Sequence, residues 1–324
     1  MPRGRVTISG LMQLYRKLRT IRPDVVQTWM YHADLLGGVI ARLAGVKVVS
    51  WGIRSSNLEP GKSSRSTIII ARLCAWLSGY VPRVIVSCSA QAADIHQSLG
   101  YAKKKFVVIP NGYNLDQLNP DPKGREALRQ EWGVDTDTPL LGMVARFDPQ
   151  KDHLNLINAL HLLTDAGQNF ACVLIGTGVD EENQSLKALL AQHRLQERVK
   201  LLGRRVDIPK VMNALDLHVL SSSFGEAFPN VVAEAMACGT PCVATDVGDA
   251  ALIVGDTGWI VPASDPQSLG NAISGAISEM KDKDKWSSRK AICREHVVDN
   301  FSIEKMVDNF SSAWLEMRLM GDSK

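Results

Sequence analysis

Short apolar runs alternate with segments of helical periodicity along almost the whole chain. Ten of these runs are rich in β-branched residues and are predicted to be strands. They lie at 24–29, 47–52, 83–88, 106–111, 140–146, 171–176, 199–203, 217–222, 240–246 and 258–262. Because helical patterns separate the runs, we expect an α/β protein with parallel sheets built from strand-helix-strand units.

The segment "NLDQLNPDPKGREALRQEWGVDTDTP" has no strand pattern and is rich in Pro and Asp. It predicts a boundary near residue 138, and a length of 324 residues also favours two domains. We expect an N-terminal Rossmann-like domain over 1–137 and a C-terminal one over 138–300, facing each other across a cleft. The last segment, 301–324, is predicted to be an amphipathic helix that packs back on the N-terminal domain.

Composition excludes several classes of protein. Hydrophobic residues make up 45% and charged residues 22%, as in an ordinary globular protein, and a net charge of +3 does not favour nucleic acid. Six scattered cysteines complete no zinc pattern, so reduced core thiols and no metal site are predicted. The N-terminus has no signal-peptide pattern, and Arg72 interrupts the longest apolar stretch, so a cytoplasmic location is expected.

The beginning of the chain is basic. Before Asp24 there are six cations and no acid, and the segment "LMQLYRKLRTIRP" has the pattern of an amphipathic helix. We expect its basic face to be solvated, and contact with anionic lipid at the inner membrane face is the alternative. The cations are Arg3, Arg5, Arg16, Lys17, Arg19 and Arg22, and the apolar face holds Leu11, Leu14, Leu18 and Ile21.

Candidate binding residues follow the predicted strands, where open α/β sheets bind ligands. Arg146 and Lys151 follow one strand and could clamp a diphosphate, or could be solvated loop residues. Gly176 and Gly178 follow the next strand and indicate a close backbone approach. Arg204 lies in a similar turn, for which an ordinary strand-to-helix connection is the alternative.

The stretch "FGEAFPNVVAEAMACGTPCVATD" places Glu226 in a loop and Glu234 on the helix that follows. Asn230 is a plausible N-cap for that helix. A helix N-terminus attracts anions, and carboxylates accept hydrogen bonds from sugar hydroxyls. The alternative for Glu234 is a favourable interaction with the helix dipole.

These segments together resemble a known family. The E-x7-E pair Glu226/Glu234 looks like the signature of retaining GT-B glycosyltransferases of the glycosyltransferase family 4 type. The segments "VIPNGYNLDQLNP", "VARFDPQKDH", "LIGTGVD", "LLGRRVDI" and "GDTGWIVP" stand in the order and approximate spacing of that family. The resemblance extends from about residue 24 to the end of the chain.

The resemblance implies a role for each matching residue. Arg146 and Lys151 match the basic pair that binds the donor diphosphate, and Glu226 matches the carboxylate that faces the donor sugar. Glu234 matches the residue that holds the ribose, and Arg204 lies in the turn that flanks the base. The other residues expected to bind substrate are Gly176, Gly178, Phe228, Pro229, Asn230 and Val231.

The implied activity is metal-independent sugar transfer with retention, for surface polysaccharide or glycolipid synthesis. The donor is a nucleotide-diphosphate sugar, the acceptor is a glycan or a lipid-linked glycan, and no separate cofactor is expected. Alanine at Arg146 or Lys151 is expected to abolish transfer and leave the fold intact.

The N-terminal half departs from the family pattern. The segment "SWGIRSSN" has Arg54 but no histidine, and His32, one strand earlier, is given no catalytic role. The family pattern has about two more strand-helix units before the segment that starts at residue 24, so we expect an incomplete N-terminal domain. This keeps a nucleotide-sugar-binding remnant without turnover as an alternative, and a GT-B nucleotide-sugar epimerase is another.

Overall fold

A computed structural model describes residues 6–56, 58 and 64–322. Arg3 and Arg5 lie outside these residues. The chain divides into two compact units. The N-terminal unit comprises Met1–Gly112 and Glu304–Lys324, and the C-terminal unit comprises Tyr113–Ile303.

The N-terminal unit contains a parallel sheet of four strands in the order β1-β2-β3-β4. Its strands are β1 (Val25–Gln27), β2 (Val48–Ile53), β3 (Val84–Ser87) and β4 (Phe106–Val108). Its helices are α1 (Ile8–Ile21), α2 (Tyr31–Leu43), α3 (Arg65–Leu77), α4 (Ala90–Ser98) and, at the end of the chain, α13 (Ile303–Asp322).

The C-terminal unit contains a parallel sheet of six strands in the order β10-β9-β8-β5-β6-β7. The strands are β5 (Leu140–Val144), β6 (Ala171–Ile175), β7 (Val199–Leu201), β8 (Leu217–Leu220), β9 (Cys242–Thr245) and β10 (Trp259–Val261). The helices are α5 (Pro122–Glu131), α6 (His153–Asp165), α7 (Gln184–Gln192), α8 (Ile208–Ala214), α9 (Asn230–Ala237), α10 (Ala250–Val254), α11 (Pro266–Glu279) and α12 (Lys283–Phe301).

The ten predicted strands are confirmed; β2 is shifted by one residue, and the other nine are shorter than predicted. Every residue of β2, β3, β8 and β9 is buried, as expected for central strands covered on both faces. In the C-terminal unit the core joins Leu141 and Met143 of β5 to Leu156 and Leu160 of α6. The six cysteines are free and buried, as predicted.

Helix α13 packs on the N-terminal sheet. Phe310 and Ala313 are buried against Val84 and Val86 of β3 and against Ile109. The amphipathic pattern of the last segment therefore corresponds to a helix with one buried face in this unit.

The division between the units falls after Gly112 instead of near residue 138. Helix α5 precedes residue 138 but packs on α8, and its two arginines bind Asp216. Arg125 and Arg129 lie 2.5 and 3.0 Å from the Asp216 carboxylate oxygens, and Arg129 is almost fully buried. These two ion pairs fix the strand-free segment to the C-terminal unit.

Helix α1 is present where the basic amphipathic segment was predicted. Thr7 caps it by accepting a hydrogen bond from the Gly10 amide at 3.2 Å. Leu11, Leu14 and Leu18 are half-buried, and α1 packs against α2, whereas Ile21 is exposed.

Candidate functional site

The strand order of the C-terminal sheet creates a switch point. The chain runs from β5 outward to β6 and β7 and then crosses to β8, which pairs with the other side of β5. In such sheets ligands bind beyond the adjacent carboxyl ends of the two strands at the switch point. Here those ends belong to β5 and β8, and the loops that follow them carry Arg146, Lys151 and Glu226.

Lys151 and Glu226 form a buried ion pair, although 75 residues separate them in the chain. The Lys151 ammonium contacts Oε1 of Glu226, and the hydroxyl of Ser222 donates to the same oxygen at 2.6 Å. Glu226 is only 7% exposed. Its carboxylate is therefore held by a cation from the β5 loop and a hydroxyl from the β8 loop.

Arg146 is not part of this buried pair. Its guanidinium is exposed, binds Asp148 at 3.1 Å and donates to Gln150 at 3.2 Å. The Gln150 amide donates to Asp148, and mainly this bond lowers the pKa of the Asp148 carboxyl. Each member of the predicted basic pair thus binds a different carboxylate, Arg146 at the surface and Lys151 in the interior.

The two loops are linked by hydrogen bonds that sequence reasoning did not identify. The Ser221 hydroxyl donates to the Lys151 carbonyl at 2.9 Å, and the Ser223 amide donates to the Gln150 carbonyl at 2.9 Å. The only signal in the sequence is the serine run after β8. These bonds fix the position of Lys151 relative to the end of β8.

The loop after β9 supports Glu226 from a third direction. Thr245 at the end of β9 donates its hydroxyl to the Ser222 carbonyl at 2.6 Å. Gly248 has a φ of +65°, and a Cβ there would lie 2.6 Å from the Glu226 carbonyl oxygen. Glycine is required because the backbone of the β9 loop passes directly against the backbone of Glu226.

Glu234 lies on the second turn of α9 and is partly buried. Burial raises the pKa of its carboxyl. Among the residues that the structure describes, none holds this carboxylate by a side-chain hydrogen bond or an ion pair. It is therefore a candidate binding group, and its ribose role stays a prediction.

Asn230 is not an N-cap, contrary to the prediction. Helix α9 begins at Asn230 itself, its cap residue is Pro229, and no side chain caps it. The Asn230 side chain instead accepts a hydrogen bond from the Tyr113 hydroxyl at 2.7 Å. Pro229 leaves Asn230 in helical geometry, and the tyrosine, more than 100 residues earlier, could not be anticipated from local spacing.

Phe228 contributes to the position of this turn. Its ring is buried and packs edge-on against Phe301, with 5.4 Å between ring centroids. Val231, the next predicted residue on α9, is half-buried.

The two glycines after β6, Gly176 and Gly178, lie close to the segment that follows β5. Gly176 has a φ of +154°, and a Cβ on it would lie 2.0 Å from the Ala145 carbonyl oxygen. The close approach predicted from the sequence is therefore that of the β5 backbone. Gly178, with a φ of +75°, faces Phe147, while Arg204 is exposed after β7.

His153, at the start of α6, is a buried residue of this region that the sequence did not single out. Its ring packs against Phe147, with centroids 5.3 Å apart. Burial, with the nearby Lys151 charge, lowers its pKa to about 4, so it is neutral at pH 7.

In the N-terminal unit, Arg54 is held at the carboxyl end of β2. Its guanidinium lies 4.4 Å from the Trp29 ring centroid and donates to the Asn111 side chain. Gly52 leaves room for the Trp29 ring in this position, because a Cβ on residue 52 would lie 2.2 Å from that ring. His32 is exposed near the start of α2.

The described part of the chain has neither a metal-ligand cluster nor a membrane-spanning helix. Within residues 6–56, 58 and 64–322, no three His, Cys, Asp or Glu side chains are grouped as metal ligands would be. In the same residues no helix combines the length and the apolar character needed to cross a bilayer.

The two parallel α/β units are the architecture of a GT-B fold, and matches to two family models identify a glycosyltransferase. The chain belongs to the group 1 glycosyltransferases. The family model described as Glycosyl transferases group 1 matches residues 124–291, and the model described as Glycosyltransferase Family 4 matches residues 1–117. The second match begins at residue 1, and the expected incompleteness of the N-terminal domain is not confirmed.

Individual relatives agree with this assignment. A UDP-Gal:alpha-D-GlcNAc-diphosphoundecaprenol alpha-1,3-galactosyltransferase from Escherichia coli is 26% identical over 313 residues, covering 96% of this chain and 80% of the relative. A phosphatidyl-myo-inositol mannosyltransferase from Mycobacterium leprae is 29% identical over 217 residues, covering 65% and 54%.

Among solved structures, HepE from Anabaena in complex with UDP has the same fold. The TM-score is 0.83 at 22% sequence identity, covering 94% of this chain and 82% of HepE.

Proposed function

We propose that this chain transfers a sugar, with retention of anomeric configuration, from a nucleoside-diphosphate donor to a glycan or lipid-linked acceptor. The expected role is in surface polysaccharide or glycolipid assembly. The observation that carries the proposal is the buried Lys151–Glu226 pair beyond the adjacent ends of β5 and β8. This pair places a cation and a carboxylate together where an open α/β sheet binds its ligand.

In this proposal the cations bind the donor diphosphate. Arg146 is exposed and its present partners are surface side chains, so it can turn to a phosphate at little cost. Lys151 can share its ammonium between Glu226 and a phosphate oxygen. Glu234 accepts from the ribose hydroxyls, and Arg204 flanks the base.

UDP is the nucleotide to test first. The E. coli relative carries a UDP-Gal donor in its name, and HepE was solved with both UDP and UDP-glucose. The acceptor in the E. coli name is a diphosphate-linked prenol sugar, which supports a lipid-linked acceptor here.

The reaction breaks the bond between the anomeric carbon and the diphosphate oxygen, and the electron pair leaves with the diphosphate. The acceptor hydroxyl oxygen forms the new bond on the same face, and its proton passes to the departing phosphate oxygen. Arg146 and Lys151 stabilise the negative charge that develops there, which is the main catalytic contribution in the absence of a metal. Glu226 faces the sugar and orients it.

Calorimetry with UDP, GDP and ADP tests the donor site, and coupled nucleotide release with a prenyl-diphosphate-linked sugar tests transfer. Glu234→Gln should weaken binding of the free nucleoside diphosphate, whereas Glu226→Gln should spare that binding and impair transfer. Glu295→Gln, an exposed carboxylate on α12, is the matched control. Equal binding of free UDP by wild type and the Glu234 variant would refute the ribose role.

Binding without release in the presence of any acceptor would favour a remnant without turnover. Conversion of one nucleotide sugar into another without an acceptor would favour an epimerase.

A further inference from the structure

Helix α3 buries small residues and leaves three large apolar side chains exposed. Ala71, Cys74 and Ala75 form its buried side. Ile69, Leu73 and Trp76 are 58%, 46% and 72% exposed. Ile68, Ile70 and Leu77 are half-buried. Polar side chains ordinarily occupy the solvent face of a surface helix, so three large apolar residues on that face are unusual.

The exposed side chains form a row. Ile69, Leu73, Trp76 and Tyr80 are spaced by four, three and four residues, which places the first three on one side of the helix. Tyr80, in the turn that follows, is 74% exposed. We call these four residues, with the exposed arginines Arg65 and Arg72 beside them, the α3 face.

The turn that carries Tyr80 is held firmly. The Lys105 ammonium donates to the carbonyls of Ser78, Gly79 and Pro82 at 2.9, 2.7 and 2.8 Å. Lys103 and Lys104 beside it are exposed. The end of the α3 face is therefore ordered and adjoins further cations.

Charge is distributed unevenly between the two units. The N-terminal unit has 19 Lys and Arg against 8 Asp and Glu, a balance of +11, whereas the C-terminal unit has 18 against 26, a balance of −8. Residues 64–93, which include α3, contain three arginines and no acid. The exposed apolar row thus lies on the strongly positive unit, within a stretch free of negative charge.

We propose that the α3 face is a docking surface for an anionic phospholipid bilayer. Exposed aromatic and aliphatic side chains insert at the headgroup boundary, and flanking arginines bind lipid phosphates. A second copy docked through the same face by two-fold symmetry fits less well, because it would bring the positive units of both copies together.

The α3 face is a different surface from helix α1, for which the sequence suggested lipid contact as an alternative. The leucines of α1 are half-buried and α1 packs on α2, so most of its apolar face is already used. The inference stands on the surface alone, although a bilayer at α3 would also bring the chain to the lipid-linked acceptor of the proposed function.

The test is sedimentation of the full chain with vesicles of phosphatidylcholine, alone or mixed with phosphatidylglycerol. We expect salt-sensitive binding to the anionic vesicles only. Ile69→Ser combined with Trp76→Ser should reduce the bound-to-free ratio by about tenfold or more, and Arg65→Gln with Arg72→Gln should reduce it several-fold. Ile292→Ser, an exposed apolar residue of α12, and Met12→Ser on α1 are the controls and should bind like wild type.

Tryptophan fluorescence shows directly whether Trp76 enters the bilayer. Brominated lipids should quench part of the tryptophan fluorescence of wild type, and Trp76→Phe should keep vesicle binding while losing that part. Retained UDP binding and an unchanged melting temperature show that a variant is folded, and they separate failure of this proposal from failure of the donor site.

Three results would overturn the proposal. They are no binding to anionic vesicles, equal binding by the α3-face variants, or loss of binding caused by Met12→Ser instead. A wild-type dimer dispersed by the Ile69/Trp76 variant, without vesicle binding, would assign the face to a second copy.

Discussion

Replacing Lys151 with methionine should destabilise the C-terminal unit as well as stop catalysis. Lys151 and Glu226 are 13% and 9% exposed at their side chains, so the pair is shielded from water. Removing one partner of a buried pair leaves an uncompensated charge and costs about 3–5 kcal/mol. For a unit of this size the midpoint of thermal unfolding should fall by roughly 10 °C.

The structure supplies two comparisons for this variant. Lys151→Met with Glu226→Gln removes both charges and keeps an acceptor for Ser222, so it should recover most of the lost stability. Arg146→Met removes a cation that is 56% exposed, and a surface pair of this kind contributes at most about 1 kcal/mol.

The measurement is thermal and urea unfolding of the four proteins, with UDP binding recorded for each. This revises the sequence-based expectation that either cation could be removed without affecting the fold, which now holds for Arg146 alone. A Lys151→Met protein that melts within about 1 °C of wild type would refute the reasoning, because the pair would then contribute no more than a surface contact.

Three further predictions concern stability. Asp34 accepts a hydrogen bond from Thr28, and burial raises the pKa of its carboxyl to about 7. The protonated carboxyl therefore stabilises the fold at acid pH, and this contribution is lost as the pH rises through 7. Asp34→Asn should remove that part of the pH dependence between about 4 and 7, seen as a difference in unfolding free energy from wild type. Glu234→Gln should melt higher than wild type at pH 7 and equally near pH 4, since its raised pKa reflects unfavourable burial of the charge; an unchanged difference across that range would contradict this. Gly176→Ala should destabilise by more than about 2 kcal/mol because of the Ala145 carbonyl, whereas Gly275→Ala, with open space around it in α11, should stabilise by up to about 1 kcal/mol.

The strands were predictable because their signal is local. Each parallel strand is a short β-branched run bounded by polar turns, and ten such runs suffice to predict two sheets. The ordered motifs around Glu226 and Glu234 likewise identified the family. Neither signal depends on which side chains meet in space.

What the sequence could not supply were contacts between distant segments. The Lys151–Glu226 pair, the Ser221 and Ser223 links and the Tyr113–Asn230 hydrogen bond each join residues about 70 to 120 positions apart. The domain boundary was misplaced for the same reason, since Asp216 is what fixes α5.

The anomeric configuration of the product shows whether the chain transfers sugar from a nucleotide sugar with retention. The purified chain is incubated with an α-linked UDP-sugar and a prenyl-diphosphate-linked sugar, and the new linkage is read by proton NMR while UDP release is followed. We expect an α-linked product, formed with acceptor-dependent UDP release and absent with Glu226→Gln. A β-linked product would contradict retention, and no product with UDP-, GDP- or ADP-sugars, despite binding of the free nucleotide, would contradict transfer itself.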